Sequence, residues 1–184
     1  MKRATVLAHE HLAMILREGD LAVDATLGNG HDALYLAKLV GENGKVIGFD
    51  VQAQAIESSR RRLNEAGVLS RCDLIEAGHE KMEEFVADEV SAVTFNLGYL
   101  PGADQETITK SSSTLESLES SCGLLRVGGL ITCVCYPGHP GGLEEAEDVM
   151  NWAENLPVDK FRVEFHNEKG RHDGRPFLVS VWRR

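Results

Sequence analysis

Hydrophobic positions along this chain alternate between two rhythms. Apolar residues spaced three and four apart read as helices, and short, nearly continuous apolar runs read as strands buried on both faces. Residues 3–17 carry Val6, Leu7, Leu12, Ile15 and Leu16 on one face, closed by Gly19. Residues 21–25 predict a first strand, 30–40 a helix with Leu34, Leu36, Ala37 and Leu39 apolar, and 46–50 a second strand. A helix over 52–66 stops at Gly67, a short strand follows at 73–77, and a short helix lies near 80–86. Further on come a strand at 90–96, a helix over 107–125, a strand at 130–136 after Gly128-Gly129, and a helix through Leu156. Two last strands, 160–166 and 176–182, flank a polar loop at 167–175. Strand–helix alternation with a closing antiparallel pair predicts an α/β fold. Its seven-stranded sheet is mostly parallel, with one antiparallel strand and helices on both faces. In such sheets ligands bind beyond the carboxyl ends of the strands, where Asp24, Asp50, Ala77, Asn96 and Tyr136 fall.

Composition narrows the class. At 184 residues, 42% hydrophobic and 26% charged, the chain is expected to form one soluble domain, 1–184. It has no apolar run of membrane-spanning length, and Met1-Lys2-Arg3-Ala4-Thr5 leads into no signal-peptide core, so a cytoplasmic location is expected. Cys72, Cys122, Cys133 and Cys135 show no CxxC spacing and read as reduced thiols; Cys133 and Cys135 should face one side of their strand. A net charge of −10 opposes generic nucleic-acid binding, yet residues 157–184 hold seven basic against four acidic residues. That basic tail either engages phosphate or is a solvated face.

Candidate chemistry concentrates at the first strand end. Gly28-x-Gly30-x-x-Ala33, with Asp50 twenty residues after Gly30, satisfies a dinucleotide fingerprint. Asp24, four residues before the first glycine, opposes that reading, because its carboxylate would repel a pyrophosphate. It suits the cationic amino group of S-adenosylmethionine. The arrangement resembles the first motif of class I S-adenosylmethionine-dependent methyltransferases, which have a Rossmann-like fold; Thr26 stands where many members have glycine. On this reading Thr26, Gly28, Asn29, Gly30, His31 and Asp32 border the methionine portion, the glycines by letting backbone approach the ligand. Asp50 takes the ribose hydroxyls, and Gln52, Gly78 and His79 border the adenine, with Asn96 and Leu97 completing the cofactor site.

The segment Asn96-Leu97-Gly98-Tyr99-Leu100-Pro101-Gly102 sets Asn96 and Tyr99 at the separation of the Asn-Pro-Pro-aromatic motif of amino-directed methyltransferases, with Leu97-Gly98 replacing the prolines. An amide oxygen there accepts the target amine's protons, and an aromatic ring stacks on a base. No metal is needed. The histidines are expected to form no metal constellation: His9 and His11 point apart on a helix, His31 starts another, and His166 and His172 are dispersed.

Together with Asp24-Ala25-Thr26-x-Gly28-Asn29-Gly30-His31-Asp32 and Phe49-Asp50-x-Gln52, two further segments carry a narrower likeness. These are Asn96–Gly102 with Asp104, and Tyr136-x-Gly138-His139-Pro140-Gly141-Gly142. The chain resembles, over nearly its whole length, a small bacterial family long labelled "putative rRNA methylase". Members of that family convert 5-aminomethyl-2-thiouridine at the tRNA wobble position to its 5-methylaminomethyl form. Tyr99 is placed to stack on the base, Asp104 reads as substrate-binding, and Arg171 and Arg175, on the loop before the last strand, read as phosphate contacts. The resemblance implies an acceptor pocket lined by Tyr136 and His139. It also implies a tRNA anticodon loop as partner and a homodimer. Two other readings stay open: a methyltransferase of the same fold acting on rRNA or a small molecule, and an NAD- or nucleotide-binding module without transferase activity.

Overall fold

In this computed structural model, residues 2–98 and 111–184 are described. The apolar runs become β1 (Leu21–Asp24), β2 (Lys45–Asp50), β3 (Cys72–Glu76), β4 (Val90–Asn96), β5 (Leu125–Cys135), β6 (Phe161–His166) and β7 (Phe177–Arg183). Between them lie α1 (Ala4–Ile15), α2 (His31–Val40), α3 (Ala53–Glu65), α4 (Met82–Phe85), α5 (Ser111–Leu124) and α6 (Gly142–Glu154). The sheet order is β3–β2–β1–β4–β5–β7–β6, with β7 antiparallel to both neighbours and the other pairings parallel. This is the sheet expected from the alternation.

Successive residues of a strand point to opposite faces, and the core divides accordingly. Ala22, Val46, Ala92 and Leu130 face α1, α2 and α3, packing with Leu12, Leu36 and Leu63. Their chain neighbours Val23, Ile47, Val93 and Ile131 face the other way, toward Met82, Leu118 and Val149 of α4, α5 and α6. With both faces covered, β4 is buried along its whole length until Asn96, which is half-exposed at the carboxyl end. β1 leads out to β2 and β3 on one side, and β4 leads to β5 on the other. The crevice therefore opens between the ends of β1 and β4, at Asp24 and Asn96.

Three sequence expectations need correction. Leu12 and Leu16 are buried as expected, but Val6 is 43% exposed, and Ala4 and Ala8 take the remaining buried positions of α1. Alanines serve because the helix lies close on the sheet, against Val134 and Leu178. The fifth strand starts at Leu125, not at 130, because fully buried Leu125 pairs with Val90 before a bulge carries the chain through Gly128-Gly129 to Leu130 opposite Ala92. The polar loop before β7 contains tight helical turns over Glu168–Asp173. The start of the helix expected over 107–125 lies partly outside the described residues. Among these residues no helix is long and apolar enough to cross a membrane.

Candidate active site

The glycine turn after β1 is built by backbone and clamped by α3. Ala25 N–H donates to Thr94 O (2.9 Å), Leu27 N–H to Phe49 O (2.9 Å) and Gly30 N–H to Leu27 O (2.8 Å), tying the turn to β4 and β2. From α3, Ser59 Oγ donates to Gly28 O (2.9 Å), Arg62 Nε to Asn29 O (2.6 Å) and Ser58 Oγ to Asn29 Oδ1 (3.0 Å). Gly30 has φ +73°, and a Cβ there would stand 2.7 Å from Ser59 Oγ. The residue must be glycine for the close approach of α3, a reason different from the ligand approach that the motif alone suggests.

The acids sit where the spacing places them. Asp24 is fully buried; its Oδ1 accepts from Thr26 N–H (3.2 Å), the Ala33 backbone N–H also favours its charged form, and Oδ2 has no partner within hydrogen-bond distance among the described residues. Burial raises its carboxyl well above the ordinary range, and the charge of Asp32 adds to this. A cationic ammonium brought to this end of β1 relieves that cost, whereas a phosphate worsens it. The residues present thus fit S-adenosylmethionine, with Asp24 acting through its adjoining backbone. Asp50 Oδ2 accepts from Gly28 N–H (2.9 Å) and Oδ1 from Gln52 N–H (2.9 Å). This half-buried carboxylate fixes both the glycine turn and the start of α3, and its remaining lone pairs suit ribose hydroxyls.

His79 is buried, its Nδ1 3.0 Å from Ala25 O and its ring edge-on to Phe95, and burial lowers its pKa. A carbonyl only accepts, so Nδ1–H donates to it and joins the β3 end to the β1 end. Gly78 lies half-buried beside it, Gln52 caps α3, and His31 is exposed.

The β4 side of the crevice converges on Asn96. Its N–H donates to Thr26 Oγ1 (2.7 Å), its Nδ2 donates to Asp32 Oδ2, and its Oδ1 accepts from Tyr136 Oη (3.2 Å). Burial, and then the Asp32 charge, raise the Tyr136 phenol, which keeps it a donor. Leu97 is buried, with N–H donating to Val134 O (2.9 Å). The His139 ring reaches this loop: Nε2 would lie 3.5 Å from a Cβ on Gly98 and 2.7 Å from one on Gly142, and Nδ1 sits 3.0 Å from Pro140 O. Gly174 O would be 2.8 Å from a Cβ on Gly138, so the 167–175 segment backs onto the His139 loop. Arg175 there is exposed and paired with Asp173 (2.7 Å). Tyr99, Asp104 and the Arg171 side chain lie outside the described residues.

His9, which no motif singled out for the site, belongs to it: Nε2 lies 2.6 Å from Asp32 Oδ1. His9 and His11 do point apart, but the expectation of dispersed histidines fails for another pair. His11 meets His166 (ring centroids 5.0 Å) beside Glu164, the three ligand atoms lying within 4.8 Å of one another. Packing of α1 across β7 brings them together, which spacing could not reveal. Arg162 also reaches Glu164 (3.5 Å), a cation already in place there. All four cysteines are free, and burial lifts Cys72 to about 11 and Cys122 to about 12, so these thiols are poor nucleophiles. Cys133 and Cys135 share a face, Sγ–Sγ 3.9 Å.

Residues 46–181 match the family described as "Putative rRNA methylase". A relative from Arabidopsis thaliana, "tRNA (mnm(5)s(2)U34)-methyltransferase, chloroplastic", is 42% identical over 85% of this chain, which spans 61% of that protein's length. Among solved structures, a "putative rRNA-methylase" from Clostridium thermocellum superposes with TM-score 0.96 at 38% identity, covering 100% of this chain and 99% of that one. A "putative methyltransferase" from Streptococcus mutans, solved in complex with SAH, gives 0.91 at 32% identity, covering 100% and 99%. With the strand-end acids and glycine turn in place beside these matches, the chain belongs to this family and is an S-adenosylmethionine-dependent methyltransferase.

Proposed function

We propose that this protein methylates a primary amine on an RNA base, the 5-aminomethyl group of 5-aminomethyl-2-thiouridine at the wobble position of tRNA. The observation that carries this is the Asn96 amide, pinned between Asp32 and Tyr136 at the end of β4 with its oxygen turned away from the carboxylate. Such an oxygen accepts a hydrogen bond from an incoming amine and leaves the nitrogen lone pair free to point elsewhere. The name of the Arabidopsis relative supports the same acceptor.

Asp50, and Asp24 through its adjoining backbone, would hold S-adenosylmethionine, which when bound would supply a sulfonium methyl group for in-line displacement. Asn96 orients the amine, Tyr136 holds the Asn96 oxygen in register, and His139 borders the same loop as a local proton acceptor. A wobble base is already unpaired, so bringing it to the pocket costs little. Arg171 and Arg175 contact RNA phosphates, and pairing of two chains in a homodimer offsets the acidic body by joining two basic tails.

Nucleoside analysis of tRNA from cells lacking the gene tests the reading. The unmethylated 5-aminomethyl nucleoside should accumulate, and an unchanged nucleoside profile overturns the assignment.

A further inference from the structure

The acceptor site contains a contact that neither motif nor donor binding calls for. His9 comes from α1, outside the strand–helix units that make the glycine turn and the β4 loop, yet its Nε2 stands 2.6 Å from Asp32 Oδ1. Asp32, in the first turn of α2, uses its other oxygen for Asn96 Nδ2. The His9 ring is held in its turn: it stacks on Tyr35, with centroids 3.9 Å apart and planes 7° from parallel, and Tyr35 Oη donates to His9 O (3.0 Å). The side chains of His9, Asp32, Asn96 and Tyr136 thus form one hydrogen-bonded chain, with the Tyr35 ring stacked on its His9 end.

We infer that His9 and Asp32 are positioning residues that lock the Asn96 side-chain amide in the single orientation presenting Oδ1 to the acceptor amine. This rests on the amine reading above. Both Asp32 oxygens are engaged, Oδ1 with His9 Nε2 and Oδ2 with Asn96 Nδ2, and they present lone pairs to these neighbours. The flipped amide would set its oxygen against Asp32 Oδ2 and turn its NH₂, a donor, toward an incoming amine. Tyr136 Oη can accept as well as donate and so serves either orientation, which leaves Asp32 as the group that selects the one presenting Oδ1. Without Asp32 the two orientations become comparable, and a large share of the molecules would present a donor to a donor. Without His9, Asp32 loses the contact that fixes its own rotamer. α1 is held to the sheet independently of this pair by its buried residues Ala4, Ala8 and Leu12.

The test uses the full chain, tRNA carrying the 5-aminomethyl nucleoside, and calorimetric binding of S-adenosylhomocysteine. His9→Phe keeps a ring to stack on Tyr35 but removes the Nε2 donor. It should lower kcat about tenfold or more, since misplaced reacting groups cost on that scale, while S-adenosylhomocysteine affinity and thermal stability stay near wild type. His9→Gln, which carries an amide donor, should recover most of the loss. Independently, Asn96→Asp sets two carboxylates face to face and should nearly abolish turnover. Adding Asp32→Asn to it should restore activity about tenfold or more. The amide introduced at position 32 then donates to the carboxylate introduced at position 96, whose second oxygen is left for the amine.

A purely structural role would move stability and cofactor affinity together with rate and would show no such reciprocal rescue. Wild-type turnover in His9→Phe, or no recovery in the folded double variant, overturns the positioning role alone. A wild-type protein that leaves this tRNA unmethylated overturns the amine reading, and the positioning role with it.

Discussion

At Asp24 a single carboxyl links stability, pH and cofactor. Burial raises its pKa in the folded chain, so the native state keeps a proton there that the unfolded chain has already released. The stability this group contributes is full below the ordinary carboxylate value of about 4 and is lost as pH rises through the raised folded value. Binding an ammonium-bearing ligand favours the carboxylate and expels the proton. Affinity for S-adenosylhomocysteine should therefore climb with pH over the window in which the ligand-free protein loses stability. Asp24→Asn should flatten both trends and weaken binding, because the buried charge that favours the ligand's ammonium is gone. Calorimetric titrations and thermal melts across pH check this, and a wild-type affinity as flat as that of the variant would sink it.

Sequence reading at this scale did well where chemistry is local. Asp24, Asp50 and Asn96 all occupy strand ends facing one crevice, as the run lengths implied. It missed His9, because a histidine on a polar helix face carries no spacing signal until α1 has docked beside α2. Likewise, nothing in the chain announces that His11 and His166 will meet, since their contact depends on where β6 joins the sheet edge.

Among elements, the joint between the glycine turn and α3 is the most demanding. Gly30 combines a left-handed backbone with van der Waals crowding by Ser59, whose hydroxyl is committed to Gly28 O. Gly30→Ala should destabilise the protein by roughly 1–3 kcal/mol from backbone strain, more if Ser59 cannot yield. Ser59→Gly in the same chain should return part of the loss, as read in chemical denaturation; an undamaged Gly30→Ala protein would show that the turn is looser than described. Strand existence, order of elements and the lone antiparallel strand were all legible, because continuous apolar runs and glycine stops report burial and chain reversal directly. The bulge at Leu125 was not. Arg126, Gly128 and Gly129 carry no strand pattern of their own, and only the buried pairing of Leu125 with Val90 makes them part of β5.

For the molecule as a whole, the tension lies between a net charge of −10 and the RNA substrate proposed above. Charge is unevenly placed, and the 167–175 segment, with Arg171 and Arg175, backs onto the loop carrying His139. Arg175 is partly neutralised by Asp173 at 2.7 Å, which limits what it offers a phosphate. Arg175→Gln should raise KM for tRNA with kcat unchanged, and should reduce the slope of log affinity against log salt by about 1. Filter binding over a salt series reads this directly, and an unchanged slope would remove Arg175 from the RNA surface.

Methyl transfer to an amine on the wobble uridine can be followed by mass spectrometry of tRNA nucleosides before and after incubation with purified protein and S-adenosylmethionine. The 5-aminomethyl nucleoside should be converted to its 5-methylaminomethyl form, with the reaction collapsing in Asn96→Ala while that variant still binds S-adenosylhomocysteine. A methyl group appearing on any other nucleoside, or full activity in Asn96→Ala, would contradict that assignment.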